Sequence, residues 1–571
     1  MRNIAVIVPF AALLAACAAP TRMDAPDFLA SEIRTTRHDA PDDLLSAGLG
    51  LEGLRAMAPP AVALPDAPTP AELRRRALHA NWRGIAHLYD PAFAPLPAVP
   101  GREYSAFARV PGARTTHRVL AQVPDAFDPG KRCLVVAPAS GSRGVYGAIA
   151  LAGPWALPRG CAIAYTDKGA GTGLYDHDSG TGVALDGTRA PRGSGPLEFE
   201  SDAVPASPHA VSFKHAHSRD NPEASWGRHT LQAARFGLHA LSLAFPQHAP
   251  FTAQNTRIIA TGVSNGGGAV LQASEQDADG LFDAVVVAAP NVLAPGARPL
   301  YDLVTEAALL QPCALLAQDA VPQLLPEAAW RAAALARCAS LEAAGLVRPG
   351  PPEAQAREAH AQLQAAGWND GALALGGLHL GIDLWRAIVA TYAQAYVRAD
   401  AAHPACGYGF AALDAAFAPR ATTAAERALW WGDATGVAPT AGIGIVDSRA
   451  QLPDAAWPGL ACGRALFTGT GEDAARLRAS IEATRANARP RTRFVHIVHG
   501  ADDSLVPPLH TSRRYVEAAR AHGIAIGYDE VARAQHFDAF VALPQLGGRH
   551  VPLLPHAHAA LDRAWEAIAG E

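Results

Sequence analysis

Lysine is almost missing from this chain: Lys131, Lys168 and Lys214 stand against 45 arginines, and no Lys/Arg-rich run occurs. With 48 basic and 53 acidic residues the formal net charge is −5, so neither sign dominates and composition gives a nucleic-acid partner no basic surface to bind. Charged residues are scarce at 18% while 49% are hydrophobic, which excludes a disordered chain and fits a globular enzyme. Long apolar runs are lacking as well: beyond residue 16 no stretch is long and apolar enough to span a bilayer. At 571 residues the chain exceeds one compact core, so a large domain with an insertion or a second domain is expected.

Residues 1–16 carry Arg2 and then an apolar run from Ile4 to Ala16, the length of an export signal. It ends in Leu14-Ala15-Ala16-Cys17, which resembles the lipobox of bacterial lipoproteins, where the cysteine is acylated. Ordinary cleavage after a small residue is the alternative, and either route leaves the cytoplasm, with the chain secreted or held as a periplasmic or outer-membrane lipoprotein. A lipid on Cys17 would be its sole membrane attachment. Six cysteines remain, an even number for an oxidising compartment. Proximity in sequence alone pairs them as Cys133–Cys161, Cys313–Cys338 and Cys406–Cys462; other connectivities stay open.

The most informative stretch is Arg257-Ile258-Ile259-Ala260-Thr261-Gly262-Val263-Ser264-Asn265-Gly266-Gly267-Gly268. A β-branched run, read as a buried strand, meets Gly-x-Ser-x-Gly and then a small-residue helix, the order of a nucleophile elbow. The turn holds the serine in a strained conformation and needs nearly side-chain-free positions two before and two after it, which Gly262 and Gly266 supply. The backbone N–H of Asn265, at the positive end of the following helix, is placed to stabilise an oxyanion.

Residues 17–68 read as a tether and irregular segment, followed by a helix capped by Thr69 with Pro70 in its first turn. Short β-type runs near Tyr104–Val110, His117–Val123, Cys133–Ala137 and Cys161–Thr166 come next. The glycine-rich loop after the third, Pro138 to Gly147, is the candidate for a second oxyanion donor, from the N–H of Gly141 or Ser142; a plain surface loop is the alternative. A long Gly- and Asp-rich excursion, 167–223, then holds two of the three lysines and a His-x-His pair, His215 and His217. No third ligand sits at a diagnostic spacing, so neither metal nor organic cofactor is assigned. Strand and helix alternate from Cys133 to Pro290, which argues for a doubly wound, mostly parallel α/β sheet, with 69–290 as the first part of that core. Residues 291–490 turn Ala-rich and helical, an expected inserted cap in which Trp368, Trp385, Tyr408, Phe410, Trp430 and Trp431 are candidate pocket residues, with core packing expected for most of them. The sheet resumes in 491–571.

There, the strand Arg493–Gly500 leads into Ala501-Asp502-Asp503-Ser504-Leu505-Val506-Pro507. This resembles the acid-bearing loop of α/β-hydrolases and assigns the carboxylate to Asp503, with Asp502 as competitor. His536 follows the last strand, where the general base belongs, and the order Ser264, Asp503, His536 is that of this fold.

Beyond the general fold, the chain resembles the D-(−)-3-hydroxybutyrate oligomer hydrolase family from about residue 30 onward. The resemblance rests on Val263–Gly268, Gly160–Gly169, Phe213–Ser218, Asn221-Pro222-Glu223 and Trp226-Gly227-Arg228. It implies a serine esterase with Ser264 as charge-relay nucleophile, a small-molecule ester as partner and no obligate protein partner. It further implies cleavage of short 3-hydroxybutyrate esters to the monomer, downstream of a polyester depolymerase. Family members are longer and secreted rather than lipid-anchored. Because such an oligomer carries a terminal carboxylate, Lys168, Lys214 and Arg228 are candidate substrate binders, with loop-structuring roles as the alternative. The competing readings are a capped esterase resembling tannases and feruloyl esterases, and a surface lipoprotein that binds without catalysis.

Overall fold

The computed structural model describes residues 24–318, 324–433, 441–546 and 548–570; the export signal 1–16 and Cys17 lie outside them. Among the described residues the chain opens with β1 (Arg34–His38), β2 (Gly101–Ala108), β3 (His117–Pro124), β4 (Cys133–Pro138) and β5 (Ala162–Thr166). The excursion contributes β6 (Leu174–Asp176), β7 (Thr181–Val183), β8 (Arg189–Pro191) and β9 (Val211–Phe213). Then come β10 (Arg257–Val263), β11 (Ala284–Ala288), β12 (Tyr408–Leu413), β13 (Pro419–Arg420), β14 (Ile443–Asp447), β15 (Phe494–Gly500) and β16 (Gly527–Val531). Nine of these form the main sheet, in the order β1-β2-β3-β5-β4-β10-β11-β15-β16. From β5 to β16 every pairing is parallel, while β1, β2 and β3 make an antiparallel edge. This is the expected α/β-hydrolase architecture, with β10 near the centre of the sheet.

The central strands are buried and largely apolar because helices cover both faces. Ile258 and Ala260 pack on one side with Val285 and Val287 against the helix Pro222–Ala244, through Leu231, Leu238 and Leu241. Ile259 and Val263 face the other side with Val286 and Val498, against Trp155 and Leu561. Successive side chains alternate between faces, so two cores are built from one strand. Each fully buried leucine or isoleucine contributes about 2 kcal/mol. The helix Pro222–Ala244 starts where the Asn221 side chain accepts from the Ala224 N–H and Pro222 fills the first turn.

Three sequence expectations need correction. Residues 17–68 are not an irregular tether throughout: β1 pairs with β2, and Leu44, Leu45 and Leu54 are fully buried. This strand escaped notice because it lies on the sheet edge, where its side chains are largely exposed and no alternation is required. Within the excursion lies a small antiparallel sheet, β8-β7-β6-β9, whose strands are only three residues long. The cap between β11 and β15 is mostly helical but also holds the sheet β13-β12-β14. The Cys406–Phe410 stretch leads into β12, with Tyr408 and Phe410 buried.

Cys133–Cys161, Cys313–Cys338 and Cys406–Cys462 are all disulfide-bonded. The first ties β4 to the start of β5 and the second joins two cap helices. Loops of 28, 25 and 56 residues are closed this way, each worth on the order of 3 kcal/mol in a chain-entropy account.

Candidate active site

β10 delivers Ser264 into a turn at φ 60°, ψ −127°, a conformation that costs an L-residue about 1–3 kcal/mol and persists only when its surroundings enforce it. Here they do. The Ser264 N–H donates to the Ala288 carbonyl at 3.0 Å, and the Ser264 carbonyl accepts from the N–H groups of Gly268 at 3.1 Å and Asn291 at 2.9 Å. A Cβ on Gly262 would stand 2.5 Å from the Gly266 backbone, and one on Gly266 would stand 2.4 Å from the Pro138 carbonyl. Gly268 is equally constrained, since its Cβ would lie 1.9 Å from the Asn291 oxygen. The spare glycines of the motif therefore let the elbow helix approach the chain after β11.

Three strand ends then converge. The His536 Nε2 lies 2.8 Å from Ser264 Oγ, and its Nδ1 lies 2.6 Å from Asp503 Oδ2. All three residues are buried. Asp503 Oδ1 accepts from the N–H groups of Leu505 and Val506 at 2.8 and 2.7 Å, so the carboxylate cannot rotate without breaking two bonds. Burial pushes the Asp503 carboxyl up, but the adjacent His536 and His499 outweigh this and hold it well below the usual carboxylate range. A carboxylate accepts only, so Nδ1 carries the imidazole proton and Nε2 is left to accept from the serine hydroxyl. Asp502, the competitor, instead accepts from the cap residue Asn369 at 3.1 Å.

His499, the last side chain of β15 before Gly500, was not singled out by sequence reasoning. Its Nε2 is 3.1 Å from Asp503 Oδ2 and 3.0 Å from the Val506 carbonyl, while its Nδ1 is 2.7 Å from Ser512 Oγ. It is a second donor to the triad carboxylate. The signal was present in the His-Gly-x-x-Asp spacing, four residues before the acid.

The triad opens on a cleft whose wall includes Ser264, Asn265, Gly141 and Ser142. The loop after β4 therefore does reach the serine, with Gly141 at φ +38°. Asn265 is the first helical residue, so its N–H has no intrahelical acceptor by position. The rest of the lining is largely apolar, with aliphatic side chains from Leu300, Val304, Leu384, Ile388, Leu505 and Val506 and aromatic rings from Tyr301, Tyr392, Tyr396 and Phe537. None of the four tryptophans, nor Tyr408 or Phe410, lines it; Trp368 and Trp385 pack edge to face in the cap core instead.

Lys168, Lys214 and Arg228 do not line it either. Lys168 is 1% exposed and bonds Glu223 Oε1; Lys214 is 2% exposed, 3.6 Å from Asp167 and 4.0 Å from Glu198. Arg228 points to solvent, bonding Ser225 Oγ at 3.0 Å. The two lysines are internal counter-ions, so the expected contact with a substrate carboxylate is replaced by a structural pairing. His215 and His217 are likewise occupied, by Glu223 Oε1 at 2.7 Å and by the Phe213 N–H at 3.2 Å.

Glu223 is where the excursion meets the elbow. Its Oε1 takes Lys168 and His215, and its Oε2 accepts from Asn265 Nδ2 at 3.0 Å. The residue proposed to supply an oxyanion N–H is thus gripped through its side chain. A second buried carboxylate, Glu103, holds Arg74 at 2.9 Å and ties the N-terminal segment to the sheet. Burial pushes both glutamates upward. Arg74 with His38 at Glu103, and Lys168 with His215 at Glu223, more than offset it and hold each carboxyl at about 2 against an ordinary 4.5. A depressed carboxyl stabilises the fold above its unfolded pKa, and that stability is lost as pH falls through the folded one. The melting temperature is therefore expected to drop steeply between pH 4.5 and about 2, with Glu223→Gln showing a shallower acid slope. An identical slope in the variant would contradict the assignment.

A model of the 3HB-oligomer hydrolase family matches residues 11–570. The D-(−)-3-hydroxybutyrate oligomer hydrolase of Burkholderia vietnamiensis is 38% identical, over 96% of this chain and 88% of its own. That of Paracidovorax citrulli is 37% identical, over 95% and 87%. Among solved structures, feruloyl esterase B from Aspergillus oryzae aligns at TM-score 0.35 and 12% identity, covering 79% of this chain and 78% of that one. A ligand-bound form of the rice cell wall degrading esterase LipA from Xanthomonas oryzae aligns at 0.38 and 11%, covering 81% and 89%.

Proposed function

The chain belongs to the 3HB-oligomer hydrolase family, and on that premise we propose that it is a serine esterase cleaving soluble 3-hydroxybutyrate dimers and short oligomers to the monomer. The observation that carries this reading is the Ser264–His536–Asp503 relay opening on a largely apolar cleft without lysine or arginine. As His536 Nε2 takes the hydroxyl proton, Ser264 Oγ bonds to the ester carbonyl carbon. The tetrahedral oxyanion accepts from the Asn265 N–H and from Gly141 or Ser142. The carbon–oxygen ester bond then breaks, and His536 returns its proton to the departing 3-hydroxyl. Water, deprotonated by His536, repeats the addition and frees the acyl group as 3-hydroxybutyrate. The chemistry assigned to these residues uses no cofactor.

The apolar lining, with no lysine or arginine, supports recognition of a neutral acyl chain rather than of the terminal carboxylate. Three disulfides and the N-terminal signal pattern support an extracytoplasmic location, with acylation of Cys17 as the lipoprotein form of the same reading.

The test offers purified protein the 3-hydroxybutyrate dimer and trimer beside methyl ferulate and a gallate ester. Acid release from the aliphatic oligomers at a kcat/KM at least about 10-fold above the aromatic esters is expected, about 1.4 kcal/mol of preference. Aromatic preference would move the substrate to the tannase and feruloyl esterase class, and no turnover of any ester would favour a binding protein.

A further inference from the structure

Beside the ester cleft lies a second, smaller cavity. The two share Asn265, Asn291, Leu300, Tyr301 and Tyr396, so Asn265 is part of both walls. Their chemistry differs. Where the first continues with aliphatic side chains, the second continues with Glu223, Trp226, Gln272 and Thr484.

Hydrogen bonding in this wall is incomplete among the described residues. Trp226 is 2% exposed, yet its indole Nε1–H has no partner. Gln272 donates through Nε2 to the Thr484 carbonyl at 2.9 Å, but its buried Oε1 has no partner. Glu223 Oε2 accepts from Asn265 Nδ2, and a carboxylate oxygen has capacity for a second donor. A buried donor left unmet costs about 1–3 kcal/mol. The wall therefore suits a group that both accepts from an N–H and donates to a carboxylate or amide oxygen. A hydroxyl does both. A carboxylate only accepts, and would face Glu223.

We propose that this chamber binds the free 3-hydroxyl of the acyl half of the substrate, with Trp226 as donor and Glu223 or Gln272 as acceptor. The inference rests on the esterase reading above. With the carbonyl carbon at Ser264 Oγ, that hydroxyl lies two carbons away along the acyl chain, and Asn265, the neighbour of Ser264 in sequence, walls both spaces. The enzyme then reads an oligomer from its hydroxyl end, and the same contacts give the small acyl group an orientation that an aliphatic cleft cannot impose.

The experiment compares kcat/KM for the ethyl esters of 3-hydroxybutyrate, butyrate and 3-methoxybutyrate, with dimer hydrolysis measured in parallel. Sites built to bond a substrate hydroxyl reject analogues lacking it strongly, so the hydroxy ester is expected to lead both others by about 100-fold. The methoxy ester should behave like butyrate, since it accepts but cannot donate. In Trp226→Phe the ratio of hydroxybutyrate to butyrate should fall about 10-fold. Wild-type enzyme that treats all three esters within about 3-fold of one another, against the discrimination expected of such a site, overturns the chamber. So does a Trp226→Phe ratio that does not move. Either result with the dimer still cleaved leaves the esterase reading standing, whereas absence of Ser264-dependent dimer cleavage removes both.

Discussion

Replacing Ser264 with alanine is expected to lower kcat for dimer hydrolysis by about 10⁴- to 10⁶-fold while leaving the fold intact. The size follows from the loss of the group placed to form the acyl bond: the Oγ that stands 2.8 Å from His536 Nε2 is the nucleophile, and what survives is the contribution of oxyanion donors and binding. Stability should change little. Alanine keeps the Cβ, the three backbone bonds that hold the elbow involve no side-chain atom, and the φ of 60° strains either residue alike. The pair of measurements is initial rate on the dimer and melting temperature. A variant retaining more than about 1% of wild-type kcat at unchanged stability would not fit the loss expected of a nucleophile.

The second large effect is expected from Asp503→Asn, about 10⁴-fold in kcat. Here the geometry specifies the failure. Oδ1 is held by the Leu505 and Val506 N–H groups, so asparagine must keep its oxygen there and place its amide nitrogen at the former Oδ2 position. That nitrogen donates, and it faces His536 Nδ1 and His499 Nε2, both of which donate to Asp503 in the wild type. Each ring must switch its proton to the other nitrogen or lose a bond. For His536 the switch leaves Nε2–H pointing at Ser264, unable to accept its proton. Rates measured across pH should stay low throughout, because the defect is a wrong tautomer rather than a displaced titration. Near-normal rates recovered at high pH would contradict this.

Much of this site was legible in the chain before any coordinates. The β-branched run into Gly262-Val263-Ser264-Asn265-Gly266 carries its own local physics, and an acid and a base after the last two parallel strands follow from the topology. The choice of Asp503 over Asp502 was legible only as a loop resemblance; its physical reason is the pair of N–H groups that grips one carboxylate and not the other. Partners far apart in sequence were not legible. Glu223 reaches Asn265 across 42 residues, and no periodicity announces it. The lysines misled for a related reason: their rarity marked them as placed, but a buried ammonium beside Glu223 and one beside Asp167 look, in sequence, like cations awaiting a substrate. Edge strand β1 and the three-residue strands of the excursion were missed because they are too exposed or too short to impose alternation on their side chains.

The central claim is that Ser264 is the nucleophile for 3-hydroxybutyrate ester cleavage. Its most direct measurement is progressive labelling with a serine-directed fluorophosphonate, following adduct position by peptide mass and dimer hydrolysis in the same samples. One adduct per chain, on the peptide carrying Ser264, with residual hydrolysis equal to the unlabelled fraction, is the result expected. Full labelling of that peptide with dimer hydrolysis intact, or loss of activity with the adduct elsewhere, would contradict it.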